Sequence, residues 1–133
     1  MMRRVLAGLI AAAVLLVGGV VSAHHSYAAT YDTTKDVKVE GKLVQFVYRN
    51  PHTFVHVQAP DDAGKMERWA VEWSGTSQLD RAGVTRDTLK IGDSVVVTIH
   101  PSRVPGDYRG LMVRLLRPSD GFNWGQSAEQ TVD

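Results

Sequence analysis

Apolar and polar side chains alternate in several short runs of the chain, which is the pattern of half-buried β-strands. The longest such stretch covers residues 37–57, where two β-rich runs are joined at Arg49-Asn50-Pro51-His52. The Asn50-Pro51 pair favours a turn, because proline fixes its own φ and biases the preceding residue away from the α region. The pattern therefore predicts a β-hairpin against which the rest of the domain packs.

The first predicted strand changes its alternation at Gly41. Val37 and Val39 alternate with polar residues before it, whereas apolar residues occupy both parities after it. We expect a bulge or a sharp coil at this glycine, which would let one long strand serve two sheets of a closed barrel. In the second strand, Val55 and Val57 share one face. The opposite face carries His52, Phe54 and His56.

A turn at residues 60–65 leads into a third predicted strand over residues 66–73, which places Trp69, Val71 and Trp73 on one face. We favour packing in the core or at a barrel end for the two tryptophans, since a large aromatic ring stabilises most when it is buried. A binding platform is the alternative. Residues 76–82 predict a short helix, with N-caps among residues 74–77, Leu79 and Ala82 inward and Gly83 at its end.

Two more strands follow the helix. Residues 89–93 predict a tight turn into a fourth strand, in which Val95, Val97 and Ile99 share the inward face. The inward face of the fifth strand is predicted to carry Leu111, Val113 and Leu115. We therefore expect Val55, Val97 and Val113 to meet in one core.

Five strands with one short helix between the third and the fourth give the element order of an oligonucleotide/oligosaccharide-binding (OB) barrel. A small sandwich and an SH3-like barrel are the alternatives, and the helix position favours the OB-like barrel. We predict an all-β domain over residues 37–118, preceded by an extended arm over residues 24–36. Residues 119–133 are expected to form a frayed tail, with Phe122 and Trp124 as candidates for docking on the surface.

The first 23 residues follow a different pattern. Two arginines precede an uncharged run over residues 5–21, and Val21-Ser22-Ala23 has small residues where a signal peptidase reads. This predicts a secretory signal peptide and a mature protein in the periplasm or outside the cell, with no membrane span after cleavage. A membrane anchor is the alternative, but a run of about 17 residues is short for a bilayer.

Charge changes the picture once this segment is removed. The chain has 15 Lys plus Arg and 14 Asp plus Glu, so loss of Arg3 and Arg4 leaves 13 basic against 14 acidic residues. A nucleic-acid-binding protein is expected to carry a basic excess along one face, and we therefore expect no nucleic-acid partner. The chain has no cysteine, so no disulfide can constrain the unfolded state of an exported domain. The stability of such a domain must come from its hydrophobic core.

Several short motifs resemble a family of short exported bacterial proteins that is grouped as a domain of unknown function. The matching pieces are Ala23-His24-His25-Ser26, Asn50-Pro51-His52, Trp69-Ala70-Val71-Glu72, Arg81-Ala82-Gly83 and Leu89-Lys90-Ile91-Gly92-Asp93. Val84 departs from the pattern, since the family often has tryptophan after that glycine. The resemblance implies export and a compact β domain over nearly the whole mature chain, and it implies no activity.

The residues favour binding over catalysis. A hydrolase needs a nucleophile with a base, or paired carboxylates in a cleft. No nucleophile-elbow context surrounds Ser26, Ser74 or Ser77, and Glu72 is the one acidic residue predicted on a strand face beside the aromatic residues. Such a glutamate is more often a solvated strand residue than a general base. We predict a protein that is not an enzyme.

The histidines suggest a metal. Cleavage after Ala23 would leave His24 with a free α-amine beside its own imidazole and next to His25, and nitrogen donors of this kind suit Cu(II). His52 is the candidate for completing the site, although a turn histidine bonded to backbone is the commoner case. A flexible terminal His-His pair that binds copper without a biological role is the alternative. His56 is too far along an extended strand to share one metal with His52.

A small ligand or another envelope protein is the other class of partner. The candidate ligand surface consists of Phe54, His56, Trp69, Glu72 and Trp73. A structural or interaction protein that binds an envelope protein or a glycan through an exposed strand edge is the alternative to a small-ligand or metal-binding module. The oligomeric state does not follow from the sequence.

Overall fold

The computed structural model describes residues 26–125. The chain divides into two units, one ending at Thr30 and one beginning at Tyr31. In the first unit the described residues form helix α1 (Ser26–Thr30), where an extended arm was expected. Ala28 and Ala29 account for the difference, because alanine has the highest helix propensity. The predicted signal peptide and both terminal histidines lie outside the described residues.

The second unit contains the β domain. Its elements are β1 (Val37–Val47), β2 (Phe54–Pro60), β3 (Met66–Glu72), α2 (Thr76–Arg81), β4 (Ser94–Pro101), β5 (Arg109–Arg117) and β6 (Phe122–Trp124). The strand order is β3-β2-β1-β4-β5-β6, and a parallel pairing between β3 and β5 closes the first five strands into a barrel. The helix lies between β3 and β4 in the chain. This is the OB-like topology that the sequence predicts, so the fold prediction is confirmed.

Strand β1 belongs to both sides of the barrel. Residues 37–42 pair with β4, and residues 42–47 pair with β2. Gly41 lies so close to β2 that a Cβ there would collide with the carbonyl of Gln58. The extra residue is Val44, between the paired positions Leu43 and Gln45. The bulge was therefore predicted at the wrong residue: Gly41 permits close approach, and Val44 is the bulge.

The core forms where the inward faces of the five strands meet. Val55 and Val97 are fully buried, as predicted, but Val113 is partly exposed. A second bulge explains the error, because Thr98 pairs with Arg114 and Ile99 pairs with Met112, which leaves Val113 as the extra residue. The alternation of β5 shifts there, and its inward residues are Gly110, Met112 and Leu115.

The two tryptophans of the third strand have different surroundings. Trp73 is 1 % exposed and contacts Trp124 edge-on, with ring centroids 5.0 Å apart. Trp69 is half-buried. Trp124 lies in β6, which pairs with the end of β5, so residues 122–124 are a strand rather than part of a frayed tail. Residues 126–133 lie outside the described part.

Candidate functional site

The loop between β1 and β2 is fixed to the segment that follows β3. Its Asn50-Pro51 peptide bond is cis. The fully buried Thr53 donates its backbone N–H to Ser74 O at 3.2 Å, and its own carbonyl accepts from Trp73 N at 2.8 Å. These hydrogen bonds continue the pairing of β2 and β3 past the ends of both strands. The backbone on the C-terminal side of His52 is therefore anchored to the barrel.

Asn50 anchors the N-terminal side of the same loop. Its Oδ1 atom accepts from the backbone N–H of Thr76 at 2.9 Å and from the Thr76 hydroxyl at 3.0 Å. The N-cap residue of α2 is Gly75, which lies within the predicted residues 74–77, and it makes no side-chain cap hydrogen bond of its own. A Cβ on Gly75 would lie 2.8 Å from Pro51 O, so the packing of helix and loop requires glycine.

His52 is held by Glu72, the last residue of β3. The His52 Nδ1 atom lies 2.9 Å from Glu72 Oε1. The other carboxylate oxygen, Oε2, accepts a hydrogen bond of 2.6 Å from the Tyr31 hydroxyl. Because a carboxylate only accepts hydrogen bonds, Nδ1 of His52 is the donor in this contact. One carboxylate thus orients side chains from two distant parts of the chain.

The hydroxyl of Tyr31 stays protonated at neutral pH. Burial, followed by the hydrogen bond to Glu72, raises the pKa of Tyr31 far above its ordinary value. The residue is 3 % exposed, and its backbone bridges Ser102 while the next residue donates to Pro101 O at 2.8 Å. Tyr31 is therefore a fixed donor. Sequence reasoning missed it, because the segment around it has no periodicity that marks a buried position.

The environment of this site is partly exposed. The Glu72 side chain is 16 % exposed and that of His52 is 35 % exposed. Arg109 contributes positive charge near both Tyr31 and Glu72, while it pairs with Asp107 at 2.7 Å. The partly exposed imidazole of His52 is therefore oriented by Glu72. Glu72 is held in turn by the hydroxyl of the buried Tyr31.

The predicted ligand surface does not form one patch. Phe54 and Glu72 are paired neighbours of β2 and β3, and His56 follows Phe54 on the same face. His56 Nδ1 accepts from Arg68 Nε at 3.3 Å, and burial together with this cation lowers the pKa of His56. Trp73 belongs to the core, and Trp69 contacts Tyr108 edge-on at 5.1 Å.

Over residues 26–125, no group of three or more His, Asp or Glu side chains is arranged to hold a metal. His24 and His25, two of the three predicted ligands, lie outside that range. His100, which was expected to be structural or exposed, lies 2.9 Å from Lys35 O and 3.1 Å from Asp36 Oδ1. None of the helices in the same range is long and apolar enough to cross a membrane.

One protein-family model matches most of the chain. The model of the family of unknown function DUF6152 matches residues 12–112, which is most of the sequence. The chain belongs to the DUF6152 family. The resemblance to a family of unknown function is thereby confirmed, while the role of the AHHS start and export remain predictions for this DUF6152 protein. No curated protein matches the chain.

Among solved structures, the chain is similar to Rim1, a mitochondrial single-stranded DNA binding protein of S. cerevisiae. The identity is 10 %, the TM-score is 0.43, and the similarity covers 61 % of this chain and 90 % of the yeast chain. DNA binding is a property of the yeast protein. The OB-like fold of the DUF6152 chain rests on its own strand order and barrel closure.

Proposed function

We propose that this DUF6152 protein is an exported, non-enzymatic binding module for Cu(II). The proposed ligands are the α-amine and imidazole of His24, exposed by signal cleavage, with His25 or His52 as a further nitrogen donor. The observation that supports a role for His52 is the Glu72 carboxylate, which binds Nδ1 of His52 at 2.9 Å and the Tyr31 hydroxyl at 2.6 Å.

The chemistry of metal-bound histidine supports His52. A histidine that binds a metal through one ring nitrogen usually donates its other N–H to a carboxylate or a carbonyl, which fixes both the ring and its tautomer. Glu72 meets this requirement, and Tyr31 in turn fixes Glu72. Since Nδ1 of His52 faces Glu72, the proposed metal-binding nitrogen is Nε2.

Binding, rather than catalysis, fits the state of Glu72. Both of its oxygens accept hydrogen bonds from protein donors, so neither is reserved for taking a proton from a substrate. Nitrogen donors favour Cu(II) among the common divalent ions. A terminal His-His pair also binds copper adventitiously in unrelated chains. A copper affinity that depends on His52 would therefore distinguish a site formed by the fold from adventitious binding at the terminus.

Calorimetry with Cu(II) on the processed protein, beginning at His24, tests this function. The His52→Ala variant should bind at least tenfold more weakly, and Glu72→Gln should weaken binding about ten- to a hundredfold through the lost orientation. His56→Ala is the matched control. This histidine lies in β2, and its side chain contacts Arg68 rather than Glu72. Equal affinities for His52→Ala, His56→Ala and the parent would show that His52 is not a ligand. Copper would then bind only adventitiously at the chain terminus.

A further inference from the structure

Strand β1 has an unpaired edge in its first half. Residues 37–42 pair with β4 on one side, but pairing with β2 on the other side begins only at Lys42. Within residues 26–125, no strand pairs with that second edge over residues 37–40, whereas Gly41 lies directly against Gln58 of β2. Pro60 ends β2 beside this gap and has no N–H with which to extend the ladder. The barrel is closed by its other pairings, but β1 has an unpaired edge over residues 37–40.

A groove of about 640 Å³ lies at this unpaired edge. Its wall includes Trp69 and Tyr108, whose rings meet edge-on at 5.1 Å. Both rings therefore give the groove an aromatic wall that a peptide side chain can contact.

The charge of the groove is negative. Three carboxylates line it, against one ammonium group from Lys38. The three acidic residues are Glu40, Asp61 and Asp62. Asp61 Oδ1 accepts hydrogen bonds from the backbone N–H groups of Ala63 and Lys65, both at 2.9 Å. This carboxylate therefore stabilises the turn between β2 and β3. Glu40 and Asp62 are exposed and line the groove.

We propose that this groove binds an extended, lysine- or arginine-bearing peptide segment of another protein, which adds as a strand to the open edge of β1. An unpaired strand edge offers backbone donors and acceptors at the spacing of another strand, and main-chain hydrogen bonds supply affinity in this mode of recognition. The carboxylates select basic side chains, and the Trp69–Tyr108 pair gives an aromatic contact. None of His52, Glu72 and Tyr31 lines the groove, so the inference is independent of copper binding.

The probe is the peptide acetyl-Lys-Val-Lys-Val-Lys-amide, titrated into the processed protein and followed by calorimetry. Two further probes carry N-methyl groups on either the odd or the even amides. Strand addition uses only every second residue for hydrogen bonds to one neighbour, so one methylated probe should bind at least tenfold more weakly than the other. Equal binding of the two methylated probes would overturn the proposal.

Charge is tested in the same format. A peptide with glutamate in place of lysine should bind at least tenfold more weakly, and Asp62→Lys should weaken binding of the lysine peptide. Asp87→Lys is the matched control, because Asp87 is an exposed acid outside the groove. Equal affinity for both peptides, or equal loss in both variants, would contradict the proposal, as would lysine amide binding as tightly as the peptide.

Discussion

The Nδ1 atom of His52 lies 2.9 Å from Oε1 of Glu72, although one residue belongs to the β1–β2 loop and the other ends β3. Their approach depends on the loop being held at both ends. Asn50 binds the start of α2, and Thr53 is hydrogen-bonded on both its N–H and its carbonyl to the segment after β3. The stability of this loop and the orientation of His52 are therefore linked.

Replacing Asn50 by alanine should destabilise the protein by about 1 kcal/mol, which is typical for loss of a side-chain helix cap. The first turn of α2 would lose the acceptor for Thr76 N–H, and the loop would lose its attachment to the helix. Urea unfolding measures the change. Asn123→Ala is the control, because Asn123 is exposed and its amide donates to the nearby Gly121 O at 3.3 Å. Equal midpoints for the two variants would show that Asn50 does not cap the helix.

Truncating Val97 to alanine should cost about 1 to 3 kcal/mol, because the side chain is fully buried and its methyl groups would leave a cavity. Val96→Ala, the neighbouring residue on the opposite face, should cost less, since Val96 is only partly buried. Val113→Ala should also cost less than Val97→Ala. A loss for Val113→Ala as large as that for Val97→Ala would contradict the bulge in β5.

These comparisons show which parts of the fold the sequence could reveal. Simple alternation found the inward faces of β2 and β4, because neither strand contains an extra residue. It failed at Leu111 and Val113 in β5, since the bulge at Val113 shifts the alternation without changing the composition. It also placed the bulge of β1 at Gly41, where a glycine is needed for a different reason, the close approach of β2.

The candidate site was predictable only in part. His52 and Glu72 were both singled out, one as a turn histidine and one as a strand carboxylate, but pairing between them depends on how two loops meet. Tyr31 had no local signal, because its burial comes from contact with the β4–β5 connection. The hydrogen bond from Thr76 to Asn50 was missed for the same reason, since the two residues are 26 positions apart.

Tyr31 should make stability fall at high pH. The pKa of its hydroxyl is raised in the folded protein above the unfolded value near 10, mainly by burial and then by the bond to Glu72. Below pH 10 the phenol is protonated in both states, so its contribution is constant. Above pH 10 only the unfolded state releases the proton, and stability is lost progressively.

The measurement is urea unfolding of the parent and Tyr31→Phe between pH 8 and about pH 11. The parent should lose stability more steeply above pH 10 than the variant. Tyr48 and Tyr108 also have raised pKa values, but they remain in both proteins and cancel in the comparison. Parallel curves would mean that the Tyr31 hydroxyl ionises normally.

Export should leave His24 as the first residue, because Val21-Ser22-Ala23 follows the apolar run. Intact mass of the protein recovered from the periplasm or the medium measures this directly. The expected mass is that of residues 24–133. A mass that includes the apolar segment would remove the free His24 amine from the proposed copper ligands.

The most direct test of the copper site is the number of imidazoles bound to Cu(II) in the processed protein, read from pulsed EPR couplings to the remote ring nitrogen. The account predicts that His52→Ala loses one imidazole relative to the parent and that His56→Ala loses none. An unchanged imidazole count in His52→Ala would show that the Glu72-bound histidine is not a ligand.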